Sequence, residues 1–186
     1  MIVSICGTPG VGKTTAVGRL SGKGWDILDL SDHLRSSGLF EEDEKSGELE
    51  VEIDTAREYL AGSLGRDESR IIIDGHLSYL APWDLCIVMR LHPSIIEDRL
   101  KQRGYPSSKI RENVEAEAVG TVLVEAIEER DRDRVVLEID CTGLGEEECS
   151  MRILDLIEAY DGKRLNDHMQ YRPGSVDWLE VMEEWY

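Results

Sequence analysis

Short runs of apolar residues alternate along this chain with longer segments in which apolar positions recur every third or fourth residue. The short runs are almost uninterrupted Ile, Val and Leu, a pattern typical of strands in a parallel sheet that is covered on both faces. They predict strands at 2–6, 26–30, 70–73, 85–89 and 135–139. The longer segments predict helices at 14–21, 32–37, 52–65, 94–103, 107–130 and 146–160. This alternation predicts a doubly wound α/β domain, a parallel five-stranded sheet with flanking helices.

The predicted helix at 107–130 is the longest, and its apolar residues indicate how it should pack. Four of them are spaced by four residues: Ile110, Val114, Ala118 and Val122. That spacing places them on one stripe of a continuous helix. We therefore expect the whole segment to lie against a single apolar surface.

Two segments depart from the alternation. Residues 41–52 are acidic and poor in apolar residues, which predicts a mobile loop. The tail from residue 161 onwards is interrupted by glycine and proline, and four of its apolar residues recur at helical spacing: Trp178, Val181, Met182 and Trp185. These residues predict a terminal helix, which either packs on the core or binds a partner. The chain is thus expected to comprise a domain at 1–160 and a tail at 161–186.

A glycine-rich turn joins the first predicted strand to the first predicted helix. Residues 7–14 read Gly-Thr-Pro-Gly-Val-Gly-Lys-Thr, which matches GxxxxGK[ST], the phosphate-binding P-loop. Glycines let successive backbone N–H groups point at a phosphate, and the following helix adds its positive N-terminal end. We expect Lys13 to contact the β- and γ-phosphates of a nucleotide, and the Thr14 hydroxyl to bind Mg²⁺. The expected fold is that of a P-loop NTPase.

A carboxylate at the end of a neighbouring strand often completes such a Mg²⁺ site. Asp74 ends the apolar run at 71–73 and is the candidate, although an Asp there can also cap the following turn. His76 follows two residues later. It either orients or deprotonates an attacking water or is a hydrogen-bonded structural histidine, and the sequence favours neither role.

The residues after the second predicted strand are candidates for binding a phosphoryl acceptor. Ser31, Asp32 and Arg35 lie at the start of a predicted helix. Arg35 could hold a second phosphate by a bidentate contact. The alternative is an ordinary exposed arginine of a helix.

Three further arginines lie around residues 104–106: Arg99, Arg103 and Arg111. Mobile arginines that close over a transferring phosphoryl group can raise the rate by roughly 10³–10⁵. Taken alone, these arginines could also be surface salt-bridge partners, because Arg111 and Glu115 are four residues apart on a predicted helix.

The composition is that of an acidic globular protein. Among 186 residues, 39 Asp and Glu outnumber 21 Lys and Arg, which gives a formal net charge of −18, and 41% of the residues are hydrophobic. The hydrophobic fraction suffices for a packed core, and the charge argues against direct binding to nucleic acid or an anionic membrane. The charge is either a solubility trait or a docking surface for a basic partner.

The cysteines and apolar stretches bear on location. Four cysteines lack the CxxC spacing of a zinc site, and three of them, Cys6, Cys86 and Cys141, lie in or beside apolar runs, as small buried thiols do. No stretch approaches the roughly 18 apolar residues of a membrane span. The apolar start at 1–6 is too short for a signal peptide. We expect a cytoplasmic protein that does not associate with membranes.

Together the motifs resemble the nucleoside monophosphate kinases of the adenylate kinase family. The Ser-Asp-His-Leu-Arg element at 31–35 is similar to the family's TGDLLR at the monophosphate site, and Ile-Ile-Asp-Gly at 72–75 is similar to its (I/V)DG. The lid opens with RLxxRG in that family, as at 99–104 here. The Ile-Asp-Cys-Thr-Gly element at 139–143 is similar to the loop against the adenine of ATP.

The departures from that pattern point to one branch of the family. The usual DGFPR is replaced by Asp-Gly-His-Leu-Ser at 74–78, so its arginine is absent, and the short lid has no zinc cysteines. Arg-Gly-Tyr at 103–105, Lys109 and Glu-Asn-Val-Glu-Ala-Glu at 112–117 resemble the RGYxxxKxxENxEAE signature of the sixth adenylate kinase isoform and its archaeal counterparts. That group also has a DxH element, as here. The resemblance covers about residues 1–160.

The resemblance implies two activities. Members of that group phosphorylate AMP and other nucleoside monophosphates from ATP, and they also hydrolyse ATP. They act in late maturation of the small ribosomal subunit and its 16S-type rRNA, through a ribosomal protein with a basic tail. A link to ribosomal RNA would then run through this basic protein, without direct nucleic-acid binding.

The resemblance also implies roles for particular residues. The region 29–52 would cover the monophosphate, with Ser31, Asp32 and Arg35, and 103–113 would be the lid. The expected ATP-binding residues are Gly10, Gly12, Lys13, Thr14, Thr15, Arg103 and Gly143. The expected catalytic residues are Lys13, Asp74, His76 and Arg103, with Mg²⁺ held by Thr14 and Asp74.

The main hypothesis is therefore a nucleoside monophosphate kinase with a side ATPase activity. An alternative is an assembly-factor ATPase whose nucleotide cycle switches binding to a basic ribosomal protein, with a vestigial kinase activity. The arginine missing from 74–78 favours this alternative. A kinase of another small metabolite is a third, against which the element at 31–35 and the lid signature both argue.

Overall fold

The computed structural model describes residues 1–39, 41–42, 49–64, 70–131 and 134–183. Within these ranges the strands, in chain order, are β1 Ile2–Cys6, β2 Asp26–Asp29, β3 Glu41–Glu42, β4 Leu49–Glu50, β5 Ile71–Asp74, β6 Leu85–Arg90 and β7 Val135–Asp140. The helices are α1 Lys13–Gly18, α2 Leu30–Ser37, α3 Ile53–Ser63, α4 Pro93–Gln102, α5 Ser107–Val119, α6 Thr121–Glu128, α7 Glu146–Asp161 and α8 Leu179–Glu183.

The five long apolar runs form one parallel sheet, which confirms the predicted fold class. The strand order is β2-β5-β1-β6-β7, so β1 is the middle strand, β5 lies between β1 and the edge strand β2, and β6 and β7 follow on the other side. Because all five strands run the same way, the residues that follow each strand meet at the carboxyl edge of the sheet. Ligands of open parallel sheets bind at this edge, beside the point where the strand order reverses.

A hydrophobic cluster covers each face of the sheet. Side chains alternate along β1, so Val3 and Ile5 join the cluster shared with α1, α4 and α7. Ile2 and Cys6 join the cluster shared with α2, α3 and α6. All five residues of β1 are buried, which explains why this strand has no polar face in the sequence.

The prediction of one helix at 107–130 is wrong, because the helix breaks at Gly120. This residue has φ +71°, ends α5 and begins α6. A Cβ at this position would make an ordinary contact of 3.4 Å with Arg90 Nη1, so the positive φ is what favours glycine here. The break splits the predicted apolar stripe between the two faces of the sheet: Ile110 and Val114 join one cluster, and Val122 joins the other.

The acidic segment predicted as a loop contains a short hairpin. Strands β3 and β4 pair antiparallel, with Glu41 opposite Glu50. The residues between them, 43–48, lie outside the described ranges, so the prediction of mobility stays untested there.

The C-terminal tail runs back along the domain. A 3₁₀ segment at Leu165–Tyr171 follows α7, and Leu165 and Tyr171 pack against the core. The predicted terminal helix is present as the five residues of α8; residues 184–186, which include Trp185, lie outside the described part of the chain. Trp178, just before α8, packs edge-on against His92 with ring centroids 4.9 Å apart.

None of the helices in the described part of the chain is long and apolar enough to cross a membrane.

Candidate active site

The P-loop connects β1 to α1 at the centre of the carboxyl edge of the sheet. Gly7 has φ +145°, and a Cβ there would lie 2.4 Å from the carbonyl oxygen of Met89 on β6. Only glycine allows the chain to leave the sheet this close to the neighbouring strand. The loop then closes on itself through a hydrogen bond from Val11 N to Thr8 O of 3.2 Å.

Lys13, the first residue of α1, lies folded over this loop. Its Nζ donates to Gly7 O at 2.7 Å and to Thr8 O at 3.2 Å. Desolvation lowers the pKa of the ammonium group to about 8, while the negative charge of Asp74 acts in the opposite direction. The ammonium thus has two neutral carbonyl partners, which the charged oxygens of a phosphate would outcompete.

Asp74 ends β5 directly beside the P-loop. The carboxyl group is buried, its Oδ1 has no hydrogen-bond partner among the described residues, and burial raises its pKa. Hydrogen bonding with Thr14 and the charge of Lys13 act against that rise. Unpartnered carboxylate oxygen beside a threonine hydroxyl is the ligand chemistry that Mg²⁺ prefers. Thr14 and Asp74 therefore fit the predicted metal site.

His76 also contacts the P-loop. Its Nδ1 lies 3.2 Å from Gly7 O, and because a carbonyl can only accept, Nδ1 carries the proton. Desolvation and the positive charge of Lys13 lower the pKa of the imidazole, so the neutral form dominates near pH 7. In that tautomer Nε2 has a lone pair that can accept a proton from a water molecule or an acceptor hydroxyl.

Two cavities open on either side of the P-loop. The first, of about 290 Å³, extends towards the end of β7, where Cys141, Leu144 and Cys149 provide apolar walls. Gly12 and Thr15 of the predicted ATP-binding set line this cavity. Gly143 does not line this cavity, although Cys141 and Leu144 on either side of Gly143 do.

The second cavity, of about 310 Å³, lies at the ends of β2 and β5. Its lining residues include Gly10, Gly12, Lys13, Thr14, Thr15, Asp29, Ser31, Asp74, His76, Arg103 and Tyr105. The predicted catalytic residues Lys13, Asp74, His76 and Arg103 are thus brought together here. Arg103 lines both cavities, and it follows directly on the end of α4.

The other predicted acceptor residues are arranged differently. Asp32 and Arg35 pair with each other on α2, with Arg35 Nη1 2.7 Å from Asp32 Oδ1, and both side chains are exposed. Neither lines the second cavity. In this structure Ser31 is the member of the predicted monophosphate set that reaches it.

The three arginines near the lid also have separate surroundings. Arg99 Nη1 donates to the carbonyl oxygens of Gly10 and Val11 of the P-loop. Arg111 is exposed and pairs with Glu115 one helical turn away at 2.7 Å. Of the three, Arg103 alone lines both cavities.

Sequence reasoning missed Asp29 and the buried charges near the P-loop. Asp29 ends β2 in register with Asp74 of β5, and its Oδ1 accepts from Asp32 N at 3.0 Å, which caps α2. A signal was present, because Asp29 follows an apolar run as Asp74 does. Among the buried charges, Arg90 and Glu138 gave no such signal, and Glu117 lies in the signature at 112–117, which does not indicate its burial.

Comparisons with known proteins match this architecture. A family described as an AAA domain matches residues 3–120. A Pyrococcus furiosus protein named "Putative adenylate kinase" is 43% identical over 185 residues, which cover 99% of this chain and 94% of that protein. A Methanosarcina barkeri protein of the same name is 35% identical over 186 residues, which cover 98% of this chain and 100% of that protein.

Two solved structures share the fold at low identity. Shikimate kinase from Bacteroides thetaiotaomicron superposes with a TM-score of 0.51 at 17% identity, covering 85% of this chain and 98% of its own. Deoxyadenosine kinase from M. mycoides superposes with a TM-score of 0.53 at 16% identity, covering 86% of this chain and 100% of its own. At this identity the likeness concerns the fold alone.

Proposed function

This chain belongs to the family of the archaeal proteins named "Putative adenylate kinase", and from that premise we propose that it transfers the γ-phosphoryl group of ATP to AMP and other nucleoside monophosphates. The observation that carries the proposal is the position of Arg103, which lines both cavities beside the P-loop. A cation between a donor cavity and an acceptor cavity is what phosphoryl transfer between two bound nucleotides requires.

ATP would occupy the cavity that leads to Cys141 and Leu144, with its phosphates in the P-loop. The loop N–H groups and Lys13 would hold the β- and γ-phosphates. Thr14 and Asp74 would hold Mg²⁺, which neutralises charge on the transferring group when bound. Arg103 would then balance the charge that develops on the oxygens between donor and acceptor.

The monophosphate would occupy the second cavity, near Asp29 and Ser31. Its phosphate oxygen is the nucleophile, and it is ionised at neutral pH, so the kinase reaction requires no general base. Neutral His76 has a different use, since its Nε2 can accept a proton from water when the acceptor is absent. We therefore include ATP hydrolysis as a side activity.

The test is ATP turnover measured with and without each nucleoside monophosphate in the presence of Mg²⁺. ADP formation should rise when AMP is added, and labelled γ-phosphate should appear in the product ADP. Lys13→Met should abolish both, whereas Lys23→Met, on an exposed loop, should leave both unchanged. The kinase function is refuted if AMP leaves ATP turnover unchanged and accepts no label.

A second candidate is an assembly-factor ATPase in maturation of the small ribosomal subunit. It is favoured by the pairing of Arg35 with Asp32 outside the acceptor cavity, which leaves a monophosphate with few positive partners there. The partner would be a basic ribosomal protein, because the net charge is −18 and the first turn of α7, Glu146–Glu148, is exposed.

The free, buried cysteines fit a reducing, cytoplasmic location.

A pull-down from lysate, with and without ATP, distinguishes this role. A basic ribosomal protein captured in a nucleotide-dependent and salt-sensitive manner supports it. Capture that does not respond to salt contradicts the electrostatic basis of the proposed partner.

A further inference from the structure

Three charged side chains form a buried cluster behind the P-loop. Arg90 at the end of β6 is 3% exposed, Glu117 on α5 is 1% exposed and Glu138 on β7 is fully buried. Arg90 donates through Nε to Glu117 Oε1 at 2.8 Å, through Nη2 to Glu117 O at 2.7 Å and through Nη1 to Glu138 Oε1. Charged residues are seldom buried this completely unless they are paired, as these three are.

One end of this cluster holds the P-loop. Glu117 Oε2 accepts a hydrogen bond from the hydroxyl of Thr8, the second residue of the loop, which is itself 1% exposed. Glu117 Oε1 also accepts from Leu91 N at 3.0 Å. Because Thr8 O is one of the two carbonyl partners of Lys13, the carboxylate of Glu117 fixes the part of the loop on which Lys13 rests.

The other end of the cluster is held by the C-terminal tail. Two carboxylates share one guanidinium, so the cluster carries an excess negative charge. The second oxygen of Glu138 accepts from three consecutive backbone N–H groups, of Gly174, Ser175 and Val176, at 2.9, 2.8 and 3.3 Å. The Ser175 hydroxyl adds a fourth contact at 3.1 Å. Successive N–H groups of this kind form a site for an anion, and here the anion is a carboxylate of the same chain.

The contacts are continuous from the tail to the nucleotide site. They run from residues 174–176 to Glu138, from Glu138 to Arg90, from Arg90 to Glu117, and from Glu117 to Thr8. A buried ion network adds little stability compared with apolar residues of the same size, and its best-supported use is to fix one arrangement. The arrangement fixed here is that of the P-loop.

We propose that Glu117 is a positioning residue for nucleotide binding and that the tail segment 174–176 controls it through Glu138 and Arg90. With the tail in place, Glu138 is satisfied and Arg90 holds Glu117 against Thr8. With the tail displaced, Glu138 loses its N–H partners and competes for Arg90, which releases Glu117 and the loop. The inference rests on the proposed function only in that the P-loop binds ATP.

The first measurement is the Kd for Mg·ATP of the full chain by calorimetry, for two variants of Thr8. Thr8→Val keeps the size and branching but loses the hydroxyl, so the loop is no longer held in one arrangement. Restoring that arrangement on binding should weaken ATP affinity about five- to tenfold, the order of one lost hydrogen bond. Thr8→Ser retains the hydroxyl and should stay within about twofold of the wild type. The serine variant separates loss of the hydrogen bond from a general effect of substitution in the loop.

The second measurement tests whether the tail acts through the same path. Ser175→Pro removes one backbone N–H and the hydroxyl, and it should weaken ATP binding several-fold; Ser175→Ala, which removes only the hydroxyl, should have a smaller effect. If both substitutions act through the same contacts, Ser175→Pro should cause no further loss of ATP affinity in a Thr8→Val background. Circular dichroism at the assay temperature confirms that each variant is folded.

The outcomes are distinguishable. Equal ATP affinities for Thr8→Val and Thr8→Ser, or a Ser175→Pro effect of the same size in both backgrounds, overturn this inference and leave the kinase proposal standing. Absence of ATP binding by the wild-type protein overturns the proposed function, and the inference with it.

Discussion

Arg99 on α4 holds the backbone of Gly10 in the P-loop, with its Nη1 2.9 Å from the glycine carbonyl oxygen. The same nitrogen lies 3.1 Å from Val11 O. Arg103 follows four residues later and lines both cavities. Two arginines one helical turn apart thus have different surroundings: Arg99 holds the loop that would receive the nucleotide, and Arg103 lines both cavities.

Arg99→Met should weaken ATP binding about three- to tenfold, because a charge-assisted hydrogen bond to two buried carbonyls is lost. We expect the melting temperature to fall by a few degrees as well. Calorimetry with Mg·ATP and a thermal melt measure the two effects. The matched control is Lys101→Met on the same helix, whose ammonium pairs with Glu97 at the surface and should matter little. Equal effects of the two substitutions would contradict the role given to Arg99.

Arg103→Ala should lower kcat by roughly 10²–10³ with little change in stability, because an arginine that stabilises the transferring phosphoryl group acts mainly in the transition state. Arg111→Ala should change kcat less than about twofold, since an exposed pair on a helix contributes little. Steady-state kinetics with ATP and AMP compare the two. A large loss of kcat in Arg111→Ala would show that the lid closes further than the structure indicates.

Asp74→Asn should abolish the response of turnover to Mg²⁺ while leaving the protein at least as stable. Burial raises the pKa of this carboxyl against the opposing effects of Thr14 and Lys13, so its ionisation costs more free energy here than in water. An uncharged amide removes that cost but binds a hard cation poorly. Mg²⁺ titration of the activity tests the metal response, and a thermal melt tests the stability, with the exposed Asp155→Asn as control. A clear drop in melting temperature would contradict the electrostatic argument.

Gly75→Ala should destabilise the protein by about 1–3 kcal/mol, the usual cost of forcing extra volume into a packed site. A Cβ at Gly75 would lie 2.7 Å from the Cβ of Leu30, and both atoms are fixed to the backbone. Because Gly75 separates Asp74 from His76, activity should fall as well. Urea unfolding measures the stability.

Gly62→Ala is the matched control for that substitution. It lies in α3 with no atom within 4 Å of the added methyl, so it should stabilise by about 0.5–1 kcal/mol through helix propensity. If Gly75→Ala behaves in the same way, the close approach of β5 and α2 is not a constraint.

The sequence alone determined the fold class and the centre of the candidate site. Apolar runs become strands because a strand buried on both faces needs apolar residues at every position. The P-loop could be predicted because its glycines, Lys13 and Thr14 are neighbours in the chain, and their geometry depends on local backbone conformation. For the same reason Asp74 and His76, two residues apart after one strand, could be assigned to the same edge of the sheet.

The tertiary structure decided what depends on contacts between distant parts of the chain. The apolar stripe of 107–130 does not reveal the break at Gly120, because the same spacing continues across it while α5 and α6 pack in different clusters. The strand order places Asp29 beside Asp74, and no local pattern encodes that order. Likewise Arg99, Arg103 and Arg111 have the same chemistry in sequence. The partner of Arg111 follows from its spacing of four residues from Glu115. The surroundings of Arg99 and Arg103 depend on how α4 packs beside the P-loop, which spacing along one helix does not specify.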